Sequence, residues 1–171
     1  MSGGQADAGP LPMDGSIFGP DQPCFGCGPA HPIGFRLRFE KGEDELGAFV
    51  RTRFVPGDRY QGPPGILHGG LVMTVADEIA AWTIIGLHDK FGFTAAFDGR
   101  LRGPVRIGEE VVGTGRVAAD RRRIMDLAVE LKQADALVFT GSFRFAILDE
   151  SAAERMLGQP LPEAWKRFSR D

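Results

Sequence analysis

One stretch constrains the fold more than any other: residues 65–87, GILHGGLVMTVADEIAAWTIIGL. From Leu71 to Leu87 almost every position is apolar or small, and Asp77 and Glu78 are the only charges. A helix that is apolar nearly all round must be covered on most of its surface. The flanking sequence supplies strands to do so. Residues 35–40 (FRLRFE) and 46–55 (LGAFVRTRFV) read as two strands joined by the polar turn KGEDE. Turn chemistry then dominates from Pro56 to Gly65. After the helix, strand-like segments follow at 92–102, 109–118, 123–132 and 137–147. The third alternates cleanly, with Met125, Leu127, Val129 and Leu131 on one face and Asp126, Glu130 and Lys132 on the other. The expected architecture is α+β: one long central helix wrapped by a single curved antiparallel sheet.

At 171 residues the chain suits one domain. Residues 1–22, rich in Gly, Pro, Asp and Ser, are expected to form a flexible arm or an extended segment draped over the body. The domain itself is expected to run over 23–150, and residues 151–171 to form a partly helical tail broken near Gly158–Pro162. A formal net charge of −3 offers no electrostatic case for nucleic acid or an anionic membrane. Asp77 and Glu78 interrupt the best candidate for a membrane span. The first residues carry neither a basic nor an apolar leader region, and two cysteines are too few for a disulfide framework. A cytoplasmic protein is expected.

A carboxylate in an apolar setting is costly unless paired. Asp77 and Glu78 could face solvent through a gap in the sheet, or pair with arginines of a neighbouring strand such as Arg100 or Arg102. The residues just upstream favour a site instead. His68-Gly69-Gly70 stands where the helix begins; glycines permit close approach of backbone to a ligand, and the first helical N–H groups have no internal partners. Such donors suit an anion or a polarised carbonyl oxygen, and a nearby carboxylate supplies a base or nucleophile for the carbonyl carbon. Gly69 and Asp77 are eight residues apart, about 12 Å along one helix. One carbonyl group therefore cannot touch both in the same chain. A two-fold dimer with antiparallel helices side by side would bring them together twice.

The segment HGGLVMTVADE, preceded by YQGPPGIL, resembles the active-site segment of hotdog-fold acyl-CoA thioesterases of the phenylacetate-pathway (PaaI-like) type. In that family the acidic residue follows the histidine by nine positions, which here is Asp77. CFGCGPAHPIGFRLRFE and FTAAFDGRLRGPVRIGEEVVGTGRV extend the resemblance over roughly residues 24–147. It implies a hotdog fold, assembled as a homodimer and often a homotetramer, and hydrolysis of an acyl-CoA thioester with no metal or organic cofactor. By the same resemblance Asp77 would activate water or attack the thioester carbon, and the Gly69 amide would polarise the thioester oxygen. His68 would orient that loop or hydrogen-bond near the sulfur, and Thr94 would help place the water or the carboxylate. Some relatives carry Asn or Gln where this chain has Gly62, and adjacent Gln61 is the candidate substitute. Candidate substrate contacts are Gly70, Gln61, Glu78, Arg100 and Arg102, with Asp77 preferred over Glu78 as the reactive acid.

Other features have plainer readings. Cys24 and Cys27 make half of a four-ligand zinc site; His31 or a second subunit's thiols would have to complete it, and a simple turn is preferred. Arg121, Arg122 and Arg123 fall at a hairpin tip, solvated or holding coenzyme A phosphates, with Arg106 equally eligible. Phe93, Phe97, Phe139, Phe143 and Phe145 read as core. The orientation of Met73, Trp82 and Ile85, which would bound an acyl tunnel, is open. Two other functions share the fold: an acyl-thioester dehydratase or hydratase, and a non-catalytic acyl-CoA-binding protein.

Overall fold

A computed structural model describes residues 13–169. The central helix, α1, runs over Gly69–His88. Before it come β1 (Phe39–Asp44) and β2 (Gly47–Phe54); after it come β3 (Gly92–Leu101), β4 (Val111–Asp120), β5 (Ile124–Gln133) and β6 (Ala136–Ile147). All pairings are antiparallel, and the sheet order is β1-β2-β4-β5-β6-β3. The first strand after the helix thus lies at one edge, paired only with the last. This is the expected α+β hotdog arrangement.

α1 is covered as its composition requires. Val72, Val75, Ala76, Ile79, Ala80, Trp82 and Ile84 are buried, as are Met125, Leu127, Val129 and Leu131 on the inner face of β5. Length and apolarity alone would let α1 cross a membrane, yet it packs against strands of the sheet. Two glycines set how close helix and sheet come. A Cβ on Gly113 would meet Ile79 Cδ1 at 2.3 Å, and one on Gly115 would meet Thr83 Oγ1 at 2.2 Å. The helix lies over β4 at a distance that only glycine allows. Trp82 stacks on Phe39 with ring centroids 4.9 Å apart, closing the far side of the helix.

The expected first strand, 35–40, starts too early. Arg36 adopts φ of 53°, which breaks extended backbone. The N–H groups of Phe35 and Leu37 bond instead to the carbonyls of Phe25 and Gly26, so this segment pairs with the cysteine loop. The expected turn over 41–45 is also tighter: β1 continues to Asp44, and Gly47 at φ of 98° closes a two-residue turn. Asp44 Oδ1 accepts from the Leu46 N–H at 2.9 Å.

Residues 13–22, part of the expected flexible arm, are packed on the body. Phe18 is buried, stacked on Trp165 at 4.1 Å between centroids and set against Phe168. The Phe39 N–H donates to the Met13 carbonyl. Residues 1–12 of that arm lie outside the described residues. In the tail, α2 (Glu150–Leu157) and α3 (Glu163–Lys166) flank the break at Gly158, whose φ is 68°.

Candidate active site

β3 returns antiparallel along α1, and this brings the site residues together. Leu101 lies against Gly69, where an added Cβ would sit 3.2 Å from Leu101 Cδ1. Gly99 lies against Met73, and Thr94 lies against Asp77. The Thr94 hydroxyl donates to Asp77 Oδ1 at 2.6 Å. A register shift in the β3–β6 ladder falls between Thr94 and Ala96. Such irregularities re-aim side chains, and this one adjoins the residue that meets the carboxylate. Burial pushes the Asp77 carboxyl above its ordinary range; the Thr94 hydroxyl draws it back, and the neighbouring Cys24 sulfur pushes it further up. Asp77 is half-buried and makes no ion pair among the described residues.

The start of α1 has a defined pattern of donors. His68 is the N-cap, and its Nδ1 accepts from the Gly70 N–H at 3.0 Å. With Nδ1 accepting, the neutral ring carries its proton on Nε2. The carbonyl of His68 accepts from the Leu71 and Val72 N–H groups. Among the described residues the Gly69 N–H has no partner. Gly70, expected as a further donor to substrate, is already engaged by His68, so one amide and not two is free at the helix mouth.

Several expected substrate contacts are otherwise occupied. Gln61 buckles its own loop: its Oε1 accepts from the Gly65 N–H at 2.5 Å, and its Nε2 donates to the Asp58 carbonyl at 3.0 Å. Arg102 Nε donates to Thr140 Oγ1 at 3.2 Å, and Arg100 lies 3.9 Å from Asp98. Neither arginine reaches the helix carboxylates, so the ion pairs that would have made those acids merely structural do not form among the described residues. Trp82 and Ile85 are core residues. Met73, half-buried between the levels of Gly69 and Asp77, is the tunnel candidate that borders the site.

Glu78 faces away from this group. The Cys24 Sγ–H donates to Glu78 Oε1 at 2.9 Å, and the Cys27 N–H donates to Cys24 Sγ at 3.4 Å. Burial pushes the Glu78 carboxyl up to about 8. Hydrogen bonding from the Cys27 thiol, aided by backbone N–H groups, holds the Cys24 thiol down to about 5, while the Cys27 thiol is pushed up. The pairing of Cys24 with Glu78 was not foreseen. The two residues are 54 positions apart, and no periodicity links a loop to a helix; the only local signal was the glycine between the cysteines.

The β3 edge is exposed from Thr94 to Leu101, and it displays Phe97 and Leu101 at 61% and 57% exposure. A long unpaired edge carrying apolar side chains is a template for pairing with another strand. Gly69 and Asp77 lie on one helix under this edge, eight residues apart. Thus the described chain contains the free amide and the carboxylate, but not at one carbonyl.

Comparison with known proteins agrees with the fold. Residues 64–139 match the thioesterase superfamily. No curated protein matches the chain. Among solved structures, a thioesterase superfamily protein is similar at 22% identity and a TM-score of 0.64, with 82% of this chain and 68% of that one covered. A hypothetical thioesterase from Streptococcus pneumoniae, solved with coenzyme A, is similar at 18% identity and a TM-score of 0.58, covering 65% and 87%. A Streptococcus mutans protein bound to acetyl CoA is similar at 19% identity and a TM-score of 0.58, covering 68% and 94%.

Proposed function

Starting from a hotdog fold whose residues 64–139 match the thioesterase superfamily, we propose that the protein hydrolyses a small or medium acyl- or aryl-acyl-CoA thioester to the free acid and coenzyme A. The observation that carries this reading is the half-buried Asp77 carboxylate, raised by burial, without a cation partner among the described residues and oriented by Thr94 at 2.6 Å. In this mechanism the thioester oxygen accepts from the Gly69 N–H at the positive end of α1. Asp77 of a second subunit takes a proton from water as the hydroxide adds to the carbon, or attacks the carbon directly to form a mixed anhydride that water then hydrolyses to the acid with release of a proton. In either case the carbonyl first becomes tetrahedral. Collapse expels the thiolate of coenzyme A, which takes up the proton. Thr94 fixes the carboxylate, and His68 holds the Gly70 amide so that the Gly69 donor keeps its direction.

The active unit in this proposal is a homodimer joined along the β3 edges, with further pairing to a tetramer compatible with the same interface. Solved neighbours that hold coenzyme A or acetyl CoA support the ligand class. Arg100 and Arg102, beside that edge, are the cations offered to the coenzyme A phosphates. A cytoplasmic setting belongs to the same reading.

The test is thiol release from short-chain, long-chain and aryl acyl-CoAs by wild type and Asp77→Asn. The expected result is turnover that falls at least about a hundredfold in the variant, the scale of a lost acid–base group. Turnover that survives the substitution would move the chemistry away from Asp77. Saturable binding with no turnover would replace the enzyme with an acyl-CoA-binding protein, and hydration of an enoyl thioester without thiol release would make it a hydratase.

A further inference from the structure

The Cys24-Phe25-Gly26-Cys27-Gly28 loop has no part in the proposed thioesterase mechanism, yet its groups converge on one point. The sulfurs of Cys24 and Cys27 and a carboxylate oxygen of Glu78 all lie within 4.8 Å of one another. Backbone N–H groups of Gly26 and Cys27 turn toward Cys24 Sγ, the latter at 3.4 Å, and the Gly28 N–H closes the turn on the Cys24 carbonyl at 2.9 Å. Gly26 has no room for a side chain, since a Cβ there would stand 2.2 Å from Glu78 Cγ. The carbonyls of Phe25 and Gly26 are tied at 2.9 Å to the N–H groups of Phe35 and Leu37. Two rigid pieces, a pinned loop and the central helix, therefore present three acidic donors to one another. No cation pairs with Glu78 among the described residues.

Three groups that each bind more tightly to a metal when deprotonated, held together in a partly buried place, form a ligand set awaiting positive charge. Two thiolates disfavour magnesium and calcium, which take oxygen donors. Two sulfurs and one carboxylate suit zinc, whose tetrahedral donors stand roughly 3.5 Å apart. The Cys24–Glu78 pair at 2.9 Å would open slightly, and all three donor atoms already lie within 4.8 Å of one another. N–H groups directed at a thiolate sulfur are outer-shell support of the kind metal ligands receive. We propose that Cys24, Cys27 and Glu78 bind one zinc ion per chain, with the fourth position open to water.

Binding transfers no electrons. The protons of the two thiols, and that of Glu78 where it is protonated, pass to solvent as the three metal–ligand bonds form. The ion would join the N-terminal loop to α1 immediately beside Asp77. This departs from the metal-free chain expected from the sequence. It also stands apart from the thioesterase reading, because its readout is metal binding.

The test uses the full chain, reduced, treated with chelator and dialysed, then titrated with cobalt(II) and with zinc against a chromophoric chelator. The expected result is one cobalt per chain with a sulfur-to-metal charge-transfer band in the near ultraviolet, displaced by zinc. Cys24→Ser and Cys27→Ser should abolish the band, and Glu78→Gln should weaken affinity at least about tenfold. Where a cysteine variant fails to fold, the melting temperature of wild type with and without zinc keeps the test open; a rise with zinc is expected. Reduced wild type that takes up no cobalt, or takes it up without a thiolate band, overturns the proposal. So does zinc that leaves the melting temperature of reduced wild type unchanged.

Discussion

Asp77 and Glu78 are adjacent in the chain and face different elements: the first accepts from Thr94 on β3, the second from the Cys24 thiol of the N-terminal loop. One residue step turns a helix by about 100°, which is enough to divide the two acids between a strand edge and a loop. The only two charges of an apolar helix thus have separate surroundings. Among the described residues neither is neutralised by a cation, and burial raises both.

The pH dependence of catalysis should report Asp77. Its carboxyl is raised mainly by burial and lowered by the Thr94 hydroxyl. A base works when ionised, so kcat/KM should rise with pH along a limb placed above the ordinary aspartate value of about 3.9. Thr94→Val removes the donor that favours the charged form, and the limb should move further up. A pH–rate profile of the two proteins decides it; a limb that stays in place or moves down removes Thr94 from the role of orienting the carboxylate.

Gly69→Pro offers a way to delete one N–H. Gly69 is the first residue of α1, where proline is tolerated because the lost donor has no partner. His68 before it has φ of −58° and ψ of 131°, a conformation that a following proline accepts. The variant should fold, and its kcat should fall by about 10²- to 10³-fold, the scale of one oxyanion donor. Gly69→Ala keeps the N–H and should retain most activity. Mixing inactive Gly69→Pro and Asp77→Asn chains should restore roughly a quarter of wild-type activity if each site draws on two subunits. Steady-state assays of unfolded and refolded mixtures measure this, and no recovery would place the site within one chain.

Stability should respond to the Cys24–Glu78 pair in metal-chelated protein. In the folded state the carboxyl is raised to about 8 and the Cys24 thiol lowered to about 5. Between these values the folded pair holds one proton in the hydrogen bond between its members, and the unfolded chain also holds one, on Cys24. The two proton counts are nearly equal, so the pair gives wild type little pH dependence in that window. Cys24→Ala leaves Glu78 alone with its burial. A raised folded value contributes stability that is complete below the unfolded value of 4.5 and lost as pH rises through the folded one. Thermal melts at pH 5, 6.5 and 8 should show the variant falling with pH more steeply than wild type; equal slopes would remove the pairing.

Packing at β4 predicts a plain stability loss. A Cβ on Gly115 would meet Thr83 Oγ1, Ile79 Cγ2 at 2.9 Å and the Ile79 carbonyl oxygen at 3.2 Å, so the helix itself would have to shift. Gly115→Ala should cost about 1–3 kcal/mol. Gly57→Ala, with nothing within 4 Å and φ of −88°, is the matched control and should be close to neutral. Urea titrations of both variants give the comparison, and equal midpoints would contradict the close helix–sheet contact.

Much of the fold follows from the chain read alone. An apolar helix over Leu71–Leu87 had to be covered, and alternating strands after it had to do the covering. Strand limits were less secure, because the break at Arg36 is a backbone event that no apolar pattern announces. His68, Gly69 and Asp77 stood out locally, through a helix start and a costly buried charge. What they face was decided in three dimensions. The return of β3 along α1 set Thr94 on Asp77, the cap by His68 left Gly69 as the free donor, and the packed loop gave Glu78 to Cys24. The reason is physical: periodicity and cost are properties of a short segment, whereas partnership across 17 or 54 residues depends on how distant segments pack together.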